Sequence, residues 1–342
     1  MYAQRQSEDF QKWADENEEI FAVAKGIESL NKNTGVHPSG IAISRSKISD
    51  ICPTQKNSDG VLITGYDMNW VAELMVKFDI LGLRTLSVID DTCKLIGIKA
   101  EEIDMHSEDV YLPLQELNSP HGLFQIEAET DFKVCKKIKP KNIEELSAVL
   151  AIARPGALEF LPNYERYVQT GSFQSIHPFF DEVLGYTGGI PLYQEQLMKM
   201  AVKVGFTLDE SEQLRRIVGK KKVDKMSEWK EKIKNKIEEK KLPKEIGEIL
   251  WKVAEDSANY SFNKSHSIAY STLSAWTTYL KFKYPQEFFL SLLKMTRFEP
   301  APQEEISRIS KELGYFKIKL LPPNLAKSDM DFKKEGENIR YG

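Results

Sequence analysis

The hydrophobic rhythm of this chain changes near Thr85. Between Gly35 and that point apolar residues fall in short runs broken by glycine and proline. After it they recur at a 3.6-residue period as far as about Leu293. Within the first part, Asp9 to Leu30 has helical spacing, with Phe10, Trp13, Ile20, Phe21, Val23, Ala24, Ile27 and Leu30 as inward positions, and Asn31 to Thr34 breaks it. Gly35-Val36-His37-Pro38-Ser39-Gly40 reads as a turn feeding a strand at Ile41-Ala42-Ile43-Ser44. Asn57 to Gly60 is a hairpin-type turn before a strand at Val61 to Thr64, and a short helix at Met68 to Leu74 follows.

Val76-Lys77-Phe78-Asp79-Ile80 then reads as a buried strand. Its apolar face, Val76, Phe78 and Ile80, is expected to pack, while period-two alternation sends Lys77 and Asp79 together to the other side. A cation and a carboxylate on one face of a core strand are costly to bury unless they meet a metal, a phosphate or each other. The plain alternative is a satisfied Lys/Asp pair at a strand edge. Residues 35 to 84 are thus expected to form a compact mixed region of strands with one helix.

Beyond Thr85, Leu86 to Ile96 marks a helix ending at Gly97, and Gly122-Leu123-Phe124-Gln125-Ile126-Glu127 is expected to open another. The run Ile143 to Ile152 stops at Arg154-Pro155-Gly156, where Pro155 disfavours helical geometry at Arg154 and leaves a guanidinium at a helix exit, free to reach an anion or to cap the helix. Further helices are expected after the Gly188-Gly189 turn from Tyr193, over Asp209 to Val218 with Leu214 and Ile217 inward, over Lys230 to Lys241, and from Trp251. The polar cluster Tyr260-Ser261-Phe262-Asn263-Lys264-Ser265-His266 lies between two apolar helices, where each polar group needs a partner once partly desolvated. Ala269 to Tyr284 reads as a deeply buried helix, Glu304 to Leu313 as another, and Lys317 to Pro323 as a strand with a stop. The fold class is α+β, mainly α: a small mixed β/α portion followed by a large helical domain.

Composition adds three things. The length of 342 residues with 41% hydrophobic content allows two or three domains, and with no apolar run near membrane-spanning length and a polar, acidic N-terminus, a cytoplasmic setting with no membrane partner is expected. Cys52, Cys93 and Cys135 share no metal or redox spacing and read as core residues. The net charge of -4 is polarised, for Arg215 to Lys241 holds twelve Lys/Arg against five Asp/Glu. That block reads either as a solvated helical face or as the footprint of a polyanion.

Seven segments, taken together, resemble the alpha subunit of bacterial DNA polymerase III, the C-family replicative polymerase. They are Gly35-Val36-His37-Pro38-Ser39-Gly40, Val76 through Leu86, Gly122 through Glu127, Ala153-Arg154-Pro155-Gly156, Tyr193-Gln194-Glu195-Gln196, Leu214-Arg215-Arg216 with Gly219-Lys220-Lys221, and Phe262-Asn263-Lys264-Ser265-His266. The resemblance implies that 1–34 is the end of the thumb, 35–84 the second part of the palm, 85–325 the fingers, and 326–342 the start of a truncated further domain. It also implies that Asp79 is the third catalytic carboxylate and a ligand of a magnesium pair, that Lys77 contacts the incoming triphosphate, and that Arg154 clamps it. His37, Arg215, Arg216, Lys220, Lys221, Asn263, Lys264 and His266 become candidate contacts to DNA or nucleotide. Lys77 and Asp79 are expected to emerge side by side into a cleft faced by Arg154.

The family carries its first two carboxylates in a Pro-Asp-x-Asp-x-Asp-Phe motif upstream of the Gly-Val-His segment, and this chain begins after that point. Asp329-Met330-Asp331-Phe332 looks similar but lies after the fingers, where the family has another Ser-Asp-x-Asp-Phe segment. Ala157 and Asn259 stand where the family has proline and glycine. The expectation is a portion of a polymerase that adds dNTPs to a primer by two-metal transfer on primer-template DNA. Inactive alone, it would need two Mg²⁺ ions with further carboxylates, supplied by a companion polypeptide carrying the rest of the palm or by the rest of an interrupted chain; other replisome proteins are further candidate partners. The alternative is a non-catalytic DNA-binding or scaffold fragment of a split polymerase.

Overall fold

A computed structural model describes residues 7–28, 30–33, 35–37, 39–219 and 223–342. Pro38 of the expected turn, and Lys220 and Lys221 among the candidate contacts, lie outside the described residues. The structure is α+β and mainly helical, and its contacts divide it into two units, Met1–Gly82 and Leu83–Gly342.

In the first unit the expected Asp9 to Leu30 helix is two helices, Glu8–Glu16 and Glu18–Ile27, parted at Asn17, whose φ of -131° leaves the helical region. Phe10 stacks on Trp13 with centroids 5.7 Å apart and meets Phe21 edge-on at 6.0 Å. Ile20, Val23 and Ile27, expected inward, are 60–66% exposed, and among the described residues of these helices only Ala14 is buried. Helical period fixes which residues share a face; it does not supply a surface to cover that face.

Strand Gly40–Ile43 pairs antiparallel with Val76–Asp79, setting Gly40 opposite Asp79 and Ala42 opposite Lys77. A second hairpin joins Thr54–Lys56 to Leu62–Thr64 around the expected Asn57–Gly60 turn. There Asn57 Oδ1 accepts from the amides of Asp59 and Val61, and Gly60 takes φ +77°. The helix Met68–Leu74 supplies Val71 to a small core with Cys52 and Met75, and Ala42 packs against it. The core therefore gathers on the Ala42/Lys77 side of the two-stranded sheet. This corrects the expectation for Val76 and Phe78, which are 58% and 54% exposed; the lysine face is the covered one.

The second unit is built around Lys264–Lys283, a helix buried on several sides and begun by Asn263, whose side-chain oxygen accepts from the His266 amide. Helices Arg84–Ile96, Glu108–Gln115, Ile143–Ile152 and Pro285–Met295 pack around it, with Phe288, Phe289 and Leu146 fully buried. A second cluster joins Gln194–Val204, Leu208–Gly219, Val223–Glu239 and Lys244–Tyr260, burying Leu214, Trp229, Ile233 and Ile237. The basic helix is thus anchored by an apolar stripe of Trp229, Ile233 and Ile237. Gly188 and Gly189 both adopt positive φ, +66° and +77°. A Cβ on either would lie 2.7 Å from the Tyr167 ring or 2.8 Å from the Gln174 carbonyl. At the end, Asn338–Arg340 pairs with Leu320–Leu321 and Lys333–Glu335, and Ile339 is buried in the first cluster.

Gly122 to Glu127, expected to open a helix, is a turn; the helix that follows is Glu129–Ile138. The reason lies in the long helix beside it. Lys281 is fully buried, and its ammonium donates to the carbonyls of Ser119 at 2.6 Å and His121 at 2.7 Å and to Glu312 Oε1 at 2.6 Å. Ser119 Oγ also donates to Glu312. Three donors meet three acceptors, which is what a buried ammonium requires, and the start of the loop is held against the long helix. Lys281→Met is expected to destabilise the protein by about 3–5 kcal/mol, because Glu312 is left buried without its cation. Urea unfolding measures this, and the double change Lys281→Met with Glu312→Leu is expected to recover a substantial part of the loss.

Candidate functional site

Chemistry-bearing side chains converge at one place in each unit. In the first, Lys77 Nζ donates to Asp79 Oδ1 at 2.5 Å, and His37 Nδ1 lies 3.7 Å from the same oxygen. Strand pairing produces the cluster: Asp79 stands opposite Gly40, and a Cβ on Gly40 would come within 2.9 Å of the His37 ring and 3.2 Å of Lys77 Cε. Glycine is what lets the imidazole and the lysine close over the carboxylate. The lysine hydrogen bond holds the Asp79 carboxyl below its usual range. Asp79 is 43% exposed and Lys77 20%, so the pair faces water and can exchange partners at little cost.

In the second unit Gln125, Asp131, Arg154, Phe262, His266 and Tyr270 line one cavity of about 190 Å³. Arg154 follows the helix Ile143–Ile152, as its Pro155 neighbour implies, and its guanidinium lies 3.8 Å from the Phe262 ring centroid. The His266 ring tilts against Tyr270 at 4.0 Å. Burial pushes the Asp131 carboxyl up to about 6, with Arg154 nearby pulling the other way. A guanidinium laid on an aromatic face, beside exposed rings, is suited to a phosphate joined to a flat heterocycle. Arg154 and His266 were legible as candidates; Tyr270, Asp131 and Gln125 were not. Tyr270 had a signal, one helical turn after His266. Asp131 had none.

The remaining candidates have protein partners. Asn263 Nδ2 donates to Glu195 Oε1, and the Lys264 amide donates to Glu195 Oε2, each at 2.9 Å, so Asn263 and Glu195 cap the long helix. The Lys264 ammonium sits 3.0 Å from Glu144 and 4.5 Å from the Tyr186 ring centroid, in a neighbouring cavity of about 570 Å³. Glu212 accepts from both Arg215 and Arg216, whose hydrogen bonds hold its carboxyl down to about 2. Along Val223–Glu239, Lys232, Lys234 and Lys236 pair with Glu228, Glu231 and Glu239. All three cysteines are free and buried, and burial pushes the Cys135 thiol up to about 12, which removes it as a nucleophile. Among the described residues no group of three or more His, Cys, Asp or Glu is placed to hold a metal ion, and no helix is long and apolar enough to cross a membrane.

Comparison with known proteins gives the family: a model described as the bacterial DNA polymerase III alpha NTPase domain matches residues 1–82, and one described as the bacterial DNA polymerase III alpha subunit finger domain matches 85–241. DNA polymerase III subunit alpha of Thermus aquaticus is 35% identical over 337 residues, covering 95% of this chain and 27% of that protein. The Aquifex aeolicus subunit is 36% identical over 96% of this chain and 29% of its own length, and that of Bacillus subtilis 30% identical over 95% and 30%. The chain belongs to the family of bacterial DNA polymerase III alpha subunits and spans less than a third of the length of these relatives.

The Asp131 carboxylate works against anion binding at Arg154 whenever it is ionised. Asp131→Asn is expected to strengthen inorganic tripolyphosphate binding at pH 7.5 roughly fivefold, equivalent to about 1 kcal/mol. Because the group is neutral below about pH 6, the ratio of mutant to wild-type affinity is expected to approach one as the pH falls through that value. Calorimetric titration of both proteins from pH 5 to 8 reads it.

Proposed function

We propose that the chain is the palm and fingers portion of a replicative DNA polymerase, acting in the cytoplasm on primer-template DNA and dNTPs by two-metal nucleotidyl transfer. The observation that carries this reading is the cavity shared by Arg154, His266 and Tyr270, in a family that polymerises nucleotides. Arg154 takes the triphosphate, and the His266 and Tyr270 rings offer a flat apolar surface to the base. In the first unit, Lys77 beside Asp79 is a cation able to offset the charge that spreads over a phosphate during transfer. The Val223–Glu239 helix and the lysines before it track the template-primer backbone, so DNA binding weakens steeply with salt.

A magnesium pair needs several oxygen ligands, and Asp79 offers one. Among the described residues no group of three or more His, Cys, Asp or Glu is placed to hold a metal ion, so the residues present do not by themselves fit two ions. Asp79 is then one member of a set completed by carboxylates on a companion polypeptide or on further chain. A set so completed would hold ions able to activate a primer hydroxyl and to offset the charge of the leaving pyrophosphate.

Primer extension tests the reading. The chain alone is expected to give no magnesium-dependent synthesis. Mixed with a polypeptide carrying the two upstream palm aspartates, it is expected to extend a primer, with Asp79→Ala lowering the rate at least a hundredfold, roughly 3 kcal/mol of transition-state stabilisation. Robust synthesis by the chain alone, or by the Asp79→Ala mixture, contradicts it.

A further inference from the structure

Gln125 lines the Arg154 cavity, and neither the motif pattern nor the family match gives it a role. Its backbone sits at φ +62°, a left-handed conformation that side chains other than glycine and asparagine rarely adopt. The other non-glycine residues with positive φ among the described residues lie at helix ends: Lys139 and Lys317 are C-caps, and Lys241 lies just beyond Glu239. Gln125 ends no helix. It occupies a turn, and that turn is held from outside.

The holding element is one face of the long helix. His266, Tyr270, Ser274, Thr277 and Lys281 recur at intervals of four, four, three and four residues, the spacing of a single helical stripe. Ser274 Oγ donates to the Phe124 carbonyl at 2.9 Å, and Thr277 Oγ1 accepts from the Phe124 amide at 3.1 Å, so both polar groups of the residue before Gln125 are fixed by side chains. The Phe124 ring packs on Tyr270 at 5.2 Å. About 22 Å along the helix from His266, at 1.5 Å per residue, Lys281 holds the start of the same loop through Ser119 and His121. One stripe therefore lines the cavity at its first two positions and clamps the Gln125 turn with its last three. A strained backbone kept by four independent hydrogen bonds points to a side chain whose position matters.

We propose that Gln125 is a substrate-contacting residue of the nucleotide site and that Ser274, Thr277 and Lys281 are its positioning residues. This rests on the nucleotide reading of the Arg154 cavity. A carboxamide is neutral and carries both a donor and an acceptor, so its partner is the uncharged polar part of the nucleotide, sugar hydroxyl or base edge, while the guanidinium takes the phosphates.

The distinction between those two parts gives the experiment. Affinities of the full chain for dATP and for inorganic tripolyphosphate are measured by calorimetry for the wild type, Gln125→Gly, Ser274→Ala with Thr277→Val, and Arg154→Ala. Glycine suits the left-handed backbone, so Gln125→Gly is expected to fold with an unchanged or raised Tm while binding dATP at least fivefold more weakly and tripolyphosphate within twofold of wild type. The Ser274/Thr277 variant is expected to show the same split, which a general loss of structure would not produce. Arg154→Ala is expected to weaken both ligands. Unchanged dATP binding by Gln125→Gly, or an equal loss for both ligands, overturns the assignment while leaving the Arg154 reading intact. A wild-type chain that binds neither ligand overturns both.

Discussion

A helix buried on several sides must turn its polar side chains into its neighbours or back onto its own backbone, and in the second unit this constraint decides the rest. Lys264–Lys283 buries Ser267, Ser271, Ser274, Thr277, Thr278 and Lys281. Some hydroxyls return to their own helix, as Thr278 does to the Ser274 carbonyl at 2.8 Å. Others are spent on adjacent backbone: Ser267 donates to the Ser147 carbonyl at 2.9 Å, joining the Ile143–Ile152 helix that delivers Arg154. The same constraint holds the 119–127 loop, where Lys281 takes the Ser119 and His121 carbonyls and Ser274 that of Phe124. Core packing and cavity geometry are in this way one problem, because the groups that satisfy the helix are the groups that shape the cavity.

The first unit works on the opposite principle. Its ionic cluster is half open to water, and its core is small, formed by Cys52, Val71 and Met75. A pair such as Lys77 and Asp79 contributes little to stability in that setting. It is correspondingly free to trade its internal contact for a metal ion or a phosphate. The sheet face carrying Ile41, Ile43, Val76 and Phe78 is exposed, so this unit presents apolar surface where the second conceals it.

The sequence made the helices legible wherever their period was sustained and their ends were marked. Ile143–Ile152 stopped before Pro155, and the strand bearing Lys77 and Asp79 alternated cleanly enough to place both side chains together. What it could not convey was which neighbour each face would meet. Val76 and Phe78 have the pattern of a packed face, yet the cover lies on the other side; Ile20 and Val23 have helical spacing without a buried surface. The turn at Gln125 was illegible for a different reason. Its shape is imposed by Ser274, Thr277 and Lys281, about 150 residues further along the chain, and no local rule in 122–127 encodes them. Asp131 acquires its raised pKa from burial, which a sequence does not display.

The central claim is that the cavity between the Gln125 turn, Arg154 and the Phe262–Tyr270 segment receives the nucleotide. Backbone hydrogen exchange with and without saturating dNTP and magnesium addresses it at once. Slower exchange concentrated in residues 122–131 and 262–270 is the expected result. Unchanged exchange there, with any protection confined to the Val223–Glu239 helix, would contradict it.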